Sequence, residues 1–182
     1  MYAVVDIETT GGSYKNGKIT EIAILHFNGY EVTDKFVSLI NPEIPIPWFV
    51  RNLTGIDDKM VAKAPKFSEV ANKIASFTED RIFVAHNIGF DYNFVQQEFS
   101  YLGHHFDRKK MCTVKLSRKI VPDLPSYSLG KLCESLKIEV FDRHRAEGDA
   151  QATALLMRKL LQLSKQNQIK ILFLLTNSIL FM

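Results

Sequence analysis

The chain opens on an apolar run, Tyr2-Ala3-Val4-Val5, that acquires two carboxylates, Asp6 and Glu8, before Thr9 and Thr10. This pattern predicts a buried strand with acid at its end. Strand side chains alternate faces and rise about 3.3 Å per residue, so Asp6 and Glu8 point the same way, roughly 6 to 7 Å apart, and two acids so placed can share a metal ion. In isolation the same pattern also describes a strand that simply ends in a polar turn. The glycine-rich turn from Gly11 to Gly17 is followed by strong β-formers from Ile19 to Phe27. Asn28-Gly29 is a hairpin signal, so Glu31 to Ile40 is expected to return antiparallel and complete a three-strand meander.

Pro42, Pro45 and Pro47 exclude helix and central strand and predict an extended connection, after which Trp48 to Leu53 reads as a short helix ended by Thr54-Gly55. Val70, Ala71, Ile74, Ala75 and Phe77 share one face of a helix capped at Ser68-Glu69. Arg81 to Ala85 is short and apolar enough for a fourth, buried strand. Further helices are expected from Phe90 to about Leu102, from Lys115 to Val121 before Pro122, from Ser128 through Leu136, and from Ala146 to Ser164, with a fifth strand over Met111 to Val114. Parallel strands need crossover connections, so this order predicts an α/β fold: a central five-stranded mixed sheet, an antiparallel meander plus two parallel strands, with helices on both faces. The fourth strand is expected beside the first. That would bring Asp91 to the carboxyl end of the first strand, where open sheets place their sites.

At 182 residues the chain fits one domain, expected over 1–165. An apolar segment follows over 166–182, read as packed on the domain or as the start of a linker or docking element, and too short to span a bilayer. A hydrophobic fraction of 46% and a charged fraction of 24% argue against disorder. Cys112 and Cys133 read as small core residues in a reducing compartment, and no signal peptide is apparent ahead of the first strand, so a cytoplasmic location without membrane association is expected. The net charge of +3 is compatible with a polyanionic partner without demanding one.

A fourth acid, Asp149, lies in His144-Arg145-Ala146-Glu147-Gly148-Asp149, at the mouth of the last long helix. Together with Asp6-Ile7-Glu8-Thr9-Thr10-Gly11 and His86-Asn87-Ile88-Gly89-Phe90-Asp91, it gives three motifs in an order and at separations that resemble the DEDDh, DnaQ-like family of 3'-to-5' exonucleases. The resemblance runs from Tyr2 to about Leu163. It implies a ribonuclease H-like fold and release of nucleoside 5'-monophosphates from a DNA end, with proofreading like that of the epsilon subunit of bacterial DNA polymerase III. Asp6, Glu8, Asp91 and Asp149 match the family's metal-binding acids and His144 its catalytic histidine. The family's other branch carries tyrosine four positions before the last acid, where this chain has Arg145.

Elementary chemistry supports the same assignment. Four convergent carboxylates repel and raise one another's pKa unless cations neutralise them, and oxygen ligands select hard ions such as Mg²⁺ or Mn²⁺, two of which can serve an in-line phosphoryl displacement. An imidazole, with an ordinary pKa near 6.5, suits a general base acting at neutral pH. Thr9 and Thr10 are expected to meet the terminal nucleotide, with Leu53, Ile56 and Phe90 against its base and Asn87, Arg143 and Arg145 as further substrate contacts. For Leu53 and Ile56 core packing is an equal alternative, and Thr54 stands where the family often has histidine before Gly-Ile. The expected partners are a single-stranded or frayed 3' end and a DNA polymerase catalytic subunit, with the chain a monomer or homodimer. A 3'-to-5' exoribonuclease and a non-catalytic nucleic-acid-binding or polymerase-associated module are the alternatives.

Overall fold

The computed structural model describes residues 1–166, and the apolar segment read over Ile169 to Met182 lies outside the described residues. Five strands, β1 (Tyr2–Thr9), β2 (Ile19–Phe27), β3 (Val32–Leu39), β4 (Ile82–Ala85) and β5 (Lys110–Cys112), form one sheet in the order β3-β2-β1-β4-β5. β1, β2 and β3 pair antiparallel, whereas β4 runs parallel to both β1 and β5. The seven helices among the described residues are α1 (Trp48–Thr54), α2 (Asp58–Val61), α3 (Phe67–Thr78), α4 (Gly89–Tyr101), α5 (Thr113–Ile120), α6 (Leu129–Ser135) and α7 (Ala146–Gln166). The architecture is ribonuclease H-like, with the expected meander and with β4 beside β1 as expected. No described helix is long and apolar enough to cross a membrane.

The central strands β1, β2 and β4 are buried on both faces, whereas the edge strand β3 is half-buried to exposed, and the parity of β1 decides what meets what. Ala3, Val5 and Ile7 join a cluster with Ile74 of α3 and Phe94, Val95 and Phe99 of α4. Val4 points the other way, against Leu116 of α5, Leu132 of α6 and Ala150, Met157 and Leu160 of α7. Asp6 and Glu8 share the parity of Val4, so their side chains leave the sheet on the α7 side.

Local chemistry moves several boundaries. Asn28 Oδ1 accepts the backbone N–H groups of Tyr30 and Glu31 at 2.8 and 2.9 Å, and β3 therefore starts at Val32 across a longer loop than a two-residue turn. α3 begins at Phe67, ahead of the expected cap at Ser68, because the Glu69 carboxylate reaches back to accept the Lys66 N–H at 2.7 Å. β5 stops at Cys112, since Thr113 and Val114 already belong to α5. The short α2, capped by Asp57 accepting the Met60 N–H at 2.9 Å, has too few residues to show an apolar period. Both cysteines are free; Cys133 is buried and Cys112 half-buried.

Candidate active site

Three of the four acids converge. Asp6 and Glu8 from β1 and Asp149 from the first turn of α7 each place a carboxylate oxygen within 4.8 Å of the others. β1 and α7 are opposed across the Val4 side of the sheet, so period two on the strand and a helix laid over it suffice to bring the carboxylates together. Asp91 comes from the first turn of α4, which packs on the opposite face, and it approaches around the carboxyl end of the sheet. It lies outside the tight trio but is coupled to it electrostatically: its charge raises the pKa of Asp6.

Burial is the largest influence on three of these groups, followed by mutual repulsion in the case of Asp6. Asp6 is held well above the ordinary carboxylate range by burial and then by Asp91, Asp149 and Glu8. Burial and the charges of Asp149 and Glu21 push Glu8 up to about 7. Asp91 is pushed up to about 8, chiefly by burial, with backbone hydrogen bonds opposing the rise. Such a cluster of crowded oxygen donors fits a hard divalent cation, because the cation supplies the positive charge that lets all the acids ionise together.

A consequence for stability follows from linkage. A carboxyl with a raised folded-state pKa holds its proton more tightly folded than unfolded, so its contribution is full below pH ~4 and is lost as pH rises through about 7 for Glu8 and about 8 for Asp91. Chelator-treated protein should therefore melt at a lower temperature at about pH 8.5 than at about pH 5.5, and Mg²⁺ should raise the melting temperature more at the higher pH. Calorimetry in matched buffers checks this, and the opposite ordering would reject a cation-seeking cluster.

His144 sits on the loop entering α7, exposed, with a left-handed φ of 64°. Its backbone N–H donates to Asp149 Oδ2 at 3.2 Å, which ties the loop to the acid while leaving the imidazole toward solvent. Arg143 Nε lies 2.5 Å from Asp149 Oδ1, an ion pair without an aligned hydrogen bond, and its guanidinium packs against Gly130. A Cβ at Gly148 would lie 2.7 Å from the Phe141 carbonyl oxygen, so only glycine lets the loop cross the first turn of α7 so closely.

Comparison with known proteins agrees with this fold. The RNase_T model, described as Exonuclease, matches residues 3–157. The chain belongs to the RNase_T exonuclease family. It is 38% identical to a PolC-type DNA polymerase III of Caldanaerobacter subterraneus subsp. tengcongensis over 93% of this chain and 12% of that protein. It is also 38% identical to the 3'-5' exonuclease DinG of Bacillus subtilis, over 91% of this chain and 18% of that one. The chain thus spans under a fifth of the length of these relatives. Among solved structures it resembles Exonuclease X bound to 5' overhanging duplex DNA, with a TM-score of 0.76 and 25% identity over 96% of this chain and 98% of that one. The fold likewise matches the nuclease domain of 3'hExo, a DEDDh family member, with a TM-score of 0.79 and 20% identity over 88% and 91% of the two chains.

Within this exonuclease domain the secondary residues divide. Phe90 and Leu53 are exposed, as a base contact requires, but Ile56 is fully buried with Ile46, Val50 and Val61 and is a core residue. The Thr9 and Thr10 hydroxyls are turned inward, accepting the N–H groups of Gly11 and Lys18 at 3.0 Å, so they build the turn and leave backbone for a ligand. Asn87 is exposed at φ 64°, and its carbonyl accepts the Phe90 N–H at 2.9 Å. His86 braces the same loop, bonding Thr113 Oγ1 and the Tyr127 carbonyl, each at 2.9 Å. Arg143 is paired with Asp149, and Arg145 is turned away from a phosphate role by Glu21.

Glu21 is the residue that the sequence pattern did not single out. It stands opposite Glu8 in the register of β2, is buried, and accepts Arg145 Nε at 3.0 Å and the Ala146 N–H at 2.9 Å. One carboxylate thereby anchors the loop of His144 and caps α7. Glu21→Ala should cost about 2 kcal/mol of stability through the lost charged hydrogen bonds. The same variant should lower kcat by on the order of 10- to 100-fold with KM little changed, as expected when a supporting group lets the loop drift. Paired melting and steady-state measurements test this, and an unchanged kcat would remove Glu21 from any positioning role.

Proposed function

We propose that the chain is a divalent-metal-dependent 3'-to-5' exonuclease that acts on single-stranded or frayed DNA ends and releases nucleoside 5'-monophosphates, in a proofreading role beside a polymerase. The observation that carries this reading is the convergence of Asp6, Glu8 and Asp149 within 4.8 Å, with His144 on the loop that one of them anchors. The PolC-type relative supports the link to replication. Asp6, Glu8, Asp91 and Asp149 would hold two Mg²⁺ or Mn²⁺ ions, which neutralise the acids and polarise the phosphodiester when bound.

The chain's own groups then do the rest. An imidazole nitrogen of His144 accepts the proton of the attacking water, whose oxygen bonds to the terminal phosphorus as the bond to the 3' oxygen of the preceding nucleotide breaks. That 3' oxygen leaves with a proton from solvent. The exposure of His144 lets it meet a water already committed to a substrate end, and the low dielectric around the acids strengthens their attraction for a bound cation.

Incubating 5'-labelled matched DNA, mismatched-end DNA and RNA with Mg²⁺, Mn²⁺ or chelator tests the proposal. A metal-dependent ladder shortening from the 3' end, faster on mismatched or unpaired DNA, is expected. Faster loss of RNA would replace DNA by RNA as substrate, and absence of cleavage with either metal would reject the exonuclease.

A further inference from the structure

We propose that Trp48 and Phe49 of α1 form a stacking platform for the unpaired nucleotides that trail behind the terminal one, a subsite that extends the proposed exonuclease site and rests on that reading. α1 turns only Val50 and Thr54 inward, yet leaves Trp48 68%, Phe49 54% and Leu53 56% exposed. Three large apolar side chains on one short helix, each in water, form a patch of the kind that marks a binding surface.

What covers the patch is indicated by its continuity with the carboxylate site. A Cβ at Gly11 would lie 3.4 Å from Phe49 ring carbons, and Gly11 follows directly on Thr10 at the end of the strand that carries Asp6 and Glu8. The other end of the same turn touches the opposite wall: a Cβ at Gly17 would lie 3.1 Å from the Phe94 ring, which packs 4.9 Å from the exposed ring of Phe90. Aromatic rings from α1 and α4 therefore flank one turn at the mouth of the acidic cluster. A single strand with its last phosphodiester at the acids has to leave past this turn, and bases stack on aromatic faces with little regard to sequence. A protein partner or a second copy has no comparable reason to begin one residue from Thr10.

Trp48 is the chain's one tryptophan beside six tyrosines, so emission excited selectively at tryptophan reports on the platform. With chelator present, titrating the full chain with an oligothymidylate of about eight nucleotides should quench that emission. With Mg²⁺, the ratio of kcat/KM for the oligonucleotide to that for the p-nitrophenyl ester of thymidine 5'-monophosphate measures what the trailing nucleotides add. Trp48→Ala and Phe49→Ala should each shrink this ratio about tenfold, and Trp48→Phe should restore most of it. Oligonucleotide binding seen by anisotropy without any change in Trp48 emission would overturn the platform, as would a ratio within about twofold of the parent in both alanine variants. An emission maximum that shifts with protein concentration but not with oligonucleotide would assign the patch to a second copy and also overturn it. If neither substrate is cleaved, the exonuclease reading is what fails, and quenching then decides the platform by itself.

Discussion

Asp6→Asn is expected to lower kcat/KM on oligonucleotides by roughly 10³-fold or more while making the metal-free protein more stable above neutral pH. The two effects share one cause. The charge of Asp6 is opposed by its surroundings, first through burial and then through Asp91, Asp149 and Glu8. Asparagine keeps the shape of the side chain and removes the charge, so the remaining acids lose a repulsive neighbour while the cluster loses the donor through which a cation would be held. At about pH 8.5 the chelator-treated variant should melt above the parent, and Mg²⁺ should add less to its melting temperature than to the parent's. A structural acid would behave in the opposite way, since its loss would lower the melting temperature. Activity loss accompanied by a lower metal-free melting temperature would thus mark Asp6 as part of the scaffold, and retained activity would remove it from the site altogether.

The parts of this molecule that were legible in its sequence are those governed by short periods. Asp6 and Glu8 two apart on an apolar strand must share a face, and the glycine and proline punctuation places the meander and the crossovers, so β1 beside β4 follows from the pattern alone. Asp149 stood out through the His144-to-Asp149 motif at the mouth of a long helix, and the structure lays that helix over the even face of β1. What depends on long-range pairing was not visible. Glu21 is one acid in a strand buried along its length, and its partner Arg145 is 124 residues away. Read without that partner, Arg145 looked like a free cation for phosphate. Ile56 and Leu53 carry the same apolar signal, yet the turn at Gly55, with φ 71°, sends Ile56 into the core and leaves Leu53 in water. The exposure of Trp48 and Phe49 was hidden for the same reason, because the buried side of a helix with seven residues is set by its neighbours more than by its own period.

His144→Ala is expected to reduce kcat by on the order of 10² to 10⁴ without abolishing the Mg²⁺-dependent rise in melting temperature. The imidazole is exposed, and the loop is held by backbone and by other side chains: the His144 N–H on Asp149, Arg145 on Glu21, and the close crossing at Gly148. Removing the ring should therefore leave the acids in place. One complication is the left-handed φ of 64°, a conformation that costs a β-carbon-bearing residue about 1 to 2 kcal/mol and that asparagine tolerates better than alanine. His144→Asn separates the two contributions, since it suits the backbone but offers no base. If proton acceptance by the imidazole is what matters, both variants should lose activity to a similar degree, and added imidazole should recover part of it in His144→Ala, where the space is open. If the residue matters only for the turn, His144→Asn should retain nearly full activity, and imidazole should do nothing for either. The second pattern would leave the acidic cluster intact as a cation site and transfer the search for the base to another group at the same mouth.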